Sequence, residues 1–266
     1  MILRPPIKIH GGKWYLKKWV IEHFPENYQD LRYLEPCCGG ASVFINKEKS
    51  QEEIINDVDE GVVNIFKALR DEPKEFIDRL KKIKYTEKAF ANAQILNENQ
   101  DYIDLAVNEY VLRRMSRGGM KKAFAWSDRE RGGQPGDVNA WKTMLKQLPA
   151  VAERLTGTTI LNKKFQDIVK IFDEPDTLIY LDPPYLPLTR AKGSTEIYEN
   201  EMSVEDHVVL LTFARDSRSK ILLSGYYSSL YNKYLKGWHC SKKEVANHSS
   251  QAKVKERRFE CLWWNY

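Results

Sequence analysis

An acid, two prolines and an aromatic ring stand together at Asp182-Pro183-Pro184-Tyr185, directly after the apolar run Leu178-Ile-Tyr-Leu181. The run reads as a buried strand, and in open α/β sheets ligands bind beyond the carboxyl ends of the strands. Two prolines fix the turn and remove N–H donors, which leaves their carbonyls as acceptors. A carboxylate and a main-chain carbonyl can accept both N–H groups of an exocyclic amine on a heterocyclic base. That raises electron density on a nitrogen whose lone pair is otherwise delocalised into the ring. The tyrosine can stack on the same base once it has left its helix. A Pro-Pro pair by itself only ends a strand. The acid before it, the aromatic after it and the strand upstream make Asp182, Pro183, Pro184 and Tyr185 a candidate catalytic set.

Three further features could serve a nucleoside-like cofactor. Glu35-Pro36-Cys37-Cys38-Gly39-Gly40-Ala41-Ser42 follows an expected strand, and its glycines permit close approach of a ligand to the backbone. Short glycine turns after strands are common, so this signal is weak alone. Asp57 ends the next expected strand, where an acid can accept hydrogen bonds from both hydroxyls of a ribose. A helix N-cap or a solvated turn would look the same. Lys8-Ile-His-Gly-Gly-Lys13 is a second Gly-Gly turn, and Lys13 could meet a carboxylate of the cofactor.

A basic segment carries Arg113, Arg114, Arg117, Lys121, Lys122, Arg129 and Arg131, interleaved with Phe124 and Trp126. Arginines bind phosphates or read guanine edges, and aromatics fill gaps in an opened duplex. An ordinary solvated face has the same composition, and Arg113 and Met115 suit the segment's own core equally well. The five histidines are scattered and form no metal or triad pattern.

The elements that must position these residues begin with alternating strands and helices. Strands are expected at 31–35 and 53–57, a short apolar helix at 41–45, and a helix capped by Asp59 with Val62, Phe66 and Leu69 on one face. This grammar predicts a mostly parallel sheet. From Asp71 to about Gly157 the pattern turns helical and polar, with Trp141, Met144, Leu145 and Leu148 at helical spacing. Strands resume at 159–161, 178–181 and 220–224, with late strands near 239–245 and 259–264 and a loop over 186–202. Ser203 and Asp206 resemble a capping box opening a helix with Val204, Val208 and Leu211 on one side. The expected fold is α/β, a sheet of about seven strands with helices on both faces. Residues 1–70 and 157–266 would form the catalytic domain, and 71–156 an inserted helical subdomain.

The chain's 266 residues, 42% of them hydrophobic, suffice for one catalytic domain with a sizeable insertion. A net charge of +5 is compatible with a polyanionic partner without requiring one. The N-terminus lacks the apolar stretch of a signal peptide, and no run approaches a membrane span. Adjacent Cys37 and Cys38 rarely bridge each other, and no cysteine has zinc-site spacing. The expected setting is cytoplasmic and reducing, without metal or membrane.

In its motifs the sequence resembles the Dam-like D12 class of DNA adenine N6-methyltransferases, most strongly the form carried by phages and mobile elements. The likeness runs in order through Lys8–Lys13, Glu35–Phe44, Asn56-Asp57, the insert, Tyr180–Tyr185, Tyr198–Met202 with Asp206-His207, Ser224-Gly-Tyr226 and Cys261–Tyr266. It departs at Cys37, where the family has an aromatic, at Ala41, where it has a second glycine, and at Ile9, where a tryptophan is common. The resemblance implies a Rossmann-like class I methyltransferase sheet, an inserted target-recognition region that binds double-stranded DNA, and S-adenosylmethionine as methyl donor. It implies that Lys13, Asp57 and Asp182 touch the cofactor and that Glu35, Pro36, Cys37 and Gly39 form its floor. Phe165 would stack near the cofactor's adenine, and Asp182, Pro183 and Tyr185 would position the target base. A monomer is the expected state. Rival readings are a methyltransferase for cytosine N4, RNA adenine or protein glutamine, a catalytically silent DNA-binding protein of the same fold, and, more distantly, a dinucleotide oxidoreductase.

Overall fold

The computed structural model describes residues 2–95, 99–127, 129–130, 133–186, 201–246 and 257–266. Arg131, Tyr198 to Asn200 and most of the expected 186–202 loop lie outside them. The strands are β1 (Arg32–Glu35), β2 (Glu52–Asn56), β3 (Thr159–Leu161), β4 (Thr177–Leu181), β5 (Lys220–Tyr226), β6 (His239–Ala246) and β7 (Arg257–Trp264). They form a seven-stranded sheet in the order β3-β2-β1-β4-β5-β7-β6. β1 runs parallel to β2 and β4, and β4 parallel to β5. β7 lies antiparallel between β5 and β6, with Tyr226 opposite Glu260 and Leu222 opposite Trp264. All five residues of β4 are buried. Such a continuous apolar run belongs to a strand covered on both faces, as parallel sheets require.

The helices are α1 (Lys17–Ile21), α2 (Glu60–Asp71), α3 (Pro73–Lys81), α4 (Glu87–Ala93), α5 (Tyr102–Arg114), α6 (Gly136–Leu155), α7 (Phe165–Ile171), α8 (Val204–Asp216) and α9 (Ser229–Tyr234). Asp59 caps α2 by accepting from the Val62 amide, and Val62, Phe66 and Leu69 are buried as expected. Ser203 and Asp206 form the anticipated capping box on α8. The buried stripe of α8 differs from the expected one. It is His207, Leu210, Leu211 and Ala214, while Val204 and Val208 are only half-buried.

No helix forms at 41–45. That stretch is a series of turns, in which the Ile45 amide reaches the Ala41 carbonyl at 3.0 Å. Ala41 sits at φ 51°, in the left-handed region, so the chain enters the turn already out of helical geometry. The alanine thus keeps the backbone conformation for which glycine is the relaxed residue.

The chain divides into two compact units. The first comprises residues 1–18, 38–47 and 57–162, and the second 19–37, 48–56 and 163–266. The first is helical around α2, α5 and α6, and takes in more of the chain than the 71–156 stretch. Its buried ionic centre is Arg113, 3% exposed, which donates to Asp59 at 2.6 Å and to Glu109 at 2.7 Å. Gly61 on α2 allows this, because a Cβ there would come within 2.6 Å of the Glu109 carboxyl carbon. Later in the same unit, Gly119 presses against the backbone of Lys8. Among the described residues, no helix is long and apolar enough to cross a membrane.

Candidate active site

In the second unit, the carboxyl ends of the parallel strands carry the residues with chemistry. Asp182 follows β4 directly, Glu35 ends β1, Asn56 ends β2 and Tyr226 ends β5. Asp182 is half-buried, and its Oδ1 accepts from the Ser224 hydroxyl of neighbouring β5 at 2.7 Å. Ser224 is itself buried and receives the Tyr180 hydroxyl at 3.3 Å. The carboxylate is therefore held in one orientation by a strand rather than by a loop. Pro183 is buried and Pro184 half-buried, so the turn is anchored at its first proline.

Tyr185 is half-buried, neither swallowed by the core nor swinging in solvent. Its ring stacks on Tyr226 with centroids 4.2 Å apart and planes at 21°. Its hydroxyl donates to the Glu260 carboxylate, with the two oxygens at 3.0 and 3.2 Å. Glu35 is buried and accepts from the Tyr33 hydroxyl at 2.7 Å. Pro36 is buried, and its carbonyl accepts from the Asn56 side chain, which also donates to the Lys163 carbonyl at 2.9 Å. Asn56 thereby fixes both the turn after β1 and the approach to α7, whose first residue is the buried Phe165. Cys37 is half-buried and forms no disulfide.

In the first unit, Gly39 and Asp57 are brought together. The Gly39 amide donates to Asp57 Oδ2 at 2.7 Å, and the Asp59 amide to Oδ1 at 3.0 Å. Gly39 adopts φ +49°, and a Cβ there would meet the Ile9 side chain at 3.3 Å. Ile9, the residue that departs from the family's tryptophan, is thus the floor against which the glycine turn rests. Burial pushes the Asp57 carboxyl up to about 6, against the lowering effect of the two amides. Lys13 is buried and donates to the Gly11 carbonyl at 3.2 Å.

The basic segment does not act as one surface. Arg113 faces Asp59 and Glu109 inside the unit, so its assignment to DNA is corrected: an arginine bound to two inward carboxylates has no route to a phosphate. Met115 is fully buried beside it. Lys121 is half-buried against Glu109 at 3.0 Å, and the half-buried Arg114 donates to the Ala140 carbonyl. Arg117, Lys122 and Arg129 are exposed. Trp126 is 48% exposed and stacks on Phe124, with Tyr85 behind. Among the described residues, no group of three or more His, Cys, Asp or Glu could hold a metal ion.

A family model described as D12 class N6 adenine-specific DNA methyltransferase matches residues 10–257. The chain belongs to that family. Among its relatives, a type II methyltransferase of Lactococcus lactis subsp. cremoris is 26% identical, covering 96% of this chain and 94% of the relative. A DNA adenine methylase of Haemophilus influenzae is 24% identical over 95% and 92% of the two chains. A DNA N-6-adenine-methyltransferase of Escherichia phage P1 is 27% identical over 83% of this chain and 29% of its own. The mixed seven-stranded sheet is the Rossmann-like α/β sheet expected of this methyltransferase family.

Three residues around the D12-class motif carried no role in the sequence reading. Ser224 and Tyr226 sit in the Ser-Gly-Tyr stretch that marks the resemblance, but nothing local shows what they touch. Glu260 did leave a signal: it is an acid within Phe-Glu-Cys-Leu-Trp-Trp, an otherwise apolar strand. A buried acid must be paired or hydrogen-bonded.

Proposed function

We propose that this chain transfers the methyl group of S-adenosylmethionine to the exocyclic N6 of an adenine flipped out of double-stranded DNA. The observation that carries the reading is Asp182, fixed by Ser224 at the end of β4 beside the half-exposed ring of Tyr185. Asp182 and a proline carbonyl accept the two amine N–H groups and aim the nitrogen, while Tyr185 stacks on the base. The bound sulfonium supplies a methyl group that is already electrophilic, so the protein's share is orientation and electrostatics. No cysteine nucleophile is needed, so neither Cys37 nor Cys38 takes part in the bond-making step.

The donor set fits such a cofactor. Asp57 is a desolvated carboxylate with two backbone donors already in place, suited to ribose hydroxyls, and Lys13 is a buried cation suited to the methionine carboxylate. In the second unit, Glu35, Pro36, Cys37, Phe165 and Asp182 are assigned to cofactor binding. DNA meets the exposed Arg117, Lys122 and Arg129 together with Trp126 in a target-recognition region. Four free thiols suit a reducing cytoplasm. The test is incubation of the purified chain with plasmid DNA and methyl-labelled cofactor, followed by base-resolved analysis. Label in N6-methyladenine is expected; label in N4-methylcytosine, or none in DNA, overturns the reading.

Asp57 makes cofactor binding pH-dependent. Ribose hydroxyls donate to the ionised carboxylate, and protonation removes that acceptor. Because burial raises the group to about 6, affinity is full above that pH and is lost as pH falls through it. The dissociation constant, measured by calorimetry, should rise by up to about tenfold per pH unit below 6. Asp57→Asn should bind weakly with a flat profile. A wild-type constant that does not change between neutral pH and about pH 5 rules out this role.

A further inference from the structure

We propose that Glu260 is a positioning residue for base capture, acting through the Tyr185 hydroxyl, with Tyr226 as the second support of the same ring. The proposal deepens the methyltransferase reading and rests on it.

A stacking platform must present one face to the base in a fixed plane. Tyr185 follows two prolines, which fix its backbone but leave the ring free to rotate about its side-chain bonds. Two contacts remove that freedom. Tyr226 covers one face of the ring at 4.2 Å, so an extruded base stacks on the opposite face. Glu260 receives the hydroxyl through both carboxylate oxygens, which stops the ring from sliding across Tyr226.

The two supports have a common origin. Tyr226 and Glu260 are opposite residues in the antiparallel β5–β7 pair. Glu260 is 1% exposed on a strand flanked by two others, so its carboxylate is as rigid as the sheet. Burying an acid is costly, and an apolar residue would serve the core better at this position. The geometry gives that cost a use: the acid orients the ring that receives the base.

The test is a double-mutant cycle between Glu260→Gln and Tyr185→Phe in the full chain. It is read by the KM for DNA, the kcat, the cofactor dissociation constant, and fluorescence of 2-aminopurine at the target position. Glu260→Gln keeps one acceptor oxygen, so it should weaken base capture less than Glu260→Ala, whose loss should be roughly tenfold or more. The loss should appear in DNA KM and in 2-aminopurine emission, with cofactor affinity unchanged. In the Tyr185→Phe background, Glu260→Gln should cost nothing further, since the bond is already gone. Costs that simply add, or cofactor affinity that falls in step with DNA affinity, overturn the proposal. Should the Glu260 variants fail to fold, Tyr185→Phe removes the same bond from the other side. Undiminished 2-aminopurine capture by that variant overturns the proposal as well. A wild-type chain that labels no adenine removes the methyltransferase reading and this role with it, whereas an active wild type with additive costs removes only the role.

Discussion

Replacing Asp182 with alanine is expected to lower kcat by about a thousandfold or more, because it removes an acceptor aimed at the reacting amine. The fold should survive. Asp182 is half-buried and lies just past the end of β4, so the side chain contributes little core. The Ser224 hydroxyl, which bonds Asp182, also lies near the Leu181 carbonyl at 3.4 Å and can turn to it. DNA affinity and melting temperature should therefore stay close to wild type. Asp182→Asn is the sharper variant: it keeps size and shape but replaces a pure acceptor with a group that also donates. It too should be nearly inactive. Single-turnover methyl transfer at saturating DNA and cofactor measures the effect directly. Activity within a few-fold of wild type in either variant would falsify the assignment of Asp182 to the reacting amine.

Gly119→Ala is expected to be the most damaging addition of a single methyl group in the first unit. The new Cβ would lie 2.0 Å from the Lys8 carbonyl oxygen and 2.5 Å from its carbon. Backbone cannot step aside as a flexible side chain can. The residue is also at φ +75°, which costs a non-glycine residue about 1–2 kcal/mol before any clash. The sum should exceed about 3 kcal/mol, in the range that single substitutions reach only through a named steric cause. Gly118 provides the control. It has φ +62°, but its nearest neighbour to an added Cβ is the Met120 side chain at 3.9 Å. Gly118→Ala should show the conformational cost alone, and thermal unfolding should separate the two variants clearly. Equal losses would mean that the close packing of Gly119 on Lys8 is not maintained in solution. DNA binding should fall with Gly119→Ala, since Arg117 and Lys122 flank the displaced turn.

The strand that ends at Asp182 could be read from the sequence because its signals are local. Four consecutive apolar residues, a double proline and an aromatic announce strand, turn and site within eight positions. The caps at Asp59 and Ser203 were legible for the same reason. Contacts between distant segments were not. Ser224 meets Asp182 from 42 residues away, and Glu260 meets Tyr185 from 75 away. Nothing near either residue encodes its partner. The basic segment misled in part because charge is read without direction. Arg113 and Arg114 are sequence neighbours, yet a helix turns one inward onto Asp59 and Glu109 and leaves the other half-exposed. The expected helix at 41–45 fails where Ala41 takes a left-handed φ, which nothing in an alanine's identity announces.

The pairing of β5 with β7 has one more implication. Beyond the ladder, the Asn265 side chain accepts from the Ile221 amide at 2.8 Å and donates to the Ser219 carbonyl at 3.0 Å. It grips the far ends of the two strands in one alignment. A slip of a single position would turn every side chain of β7 to the opposite face and carry Glu260 away from Tyr185. Asn265 is thus a vernier stop: an amide at the remote end of the sheet adds two bonds to the register in which Glu260 faces Tyr185.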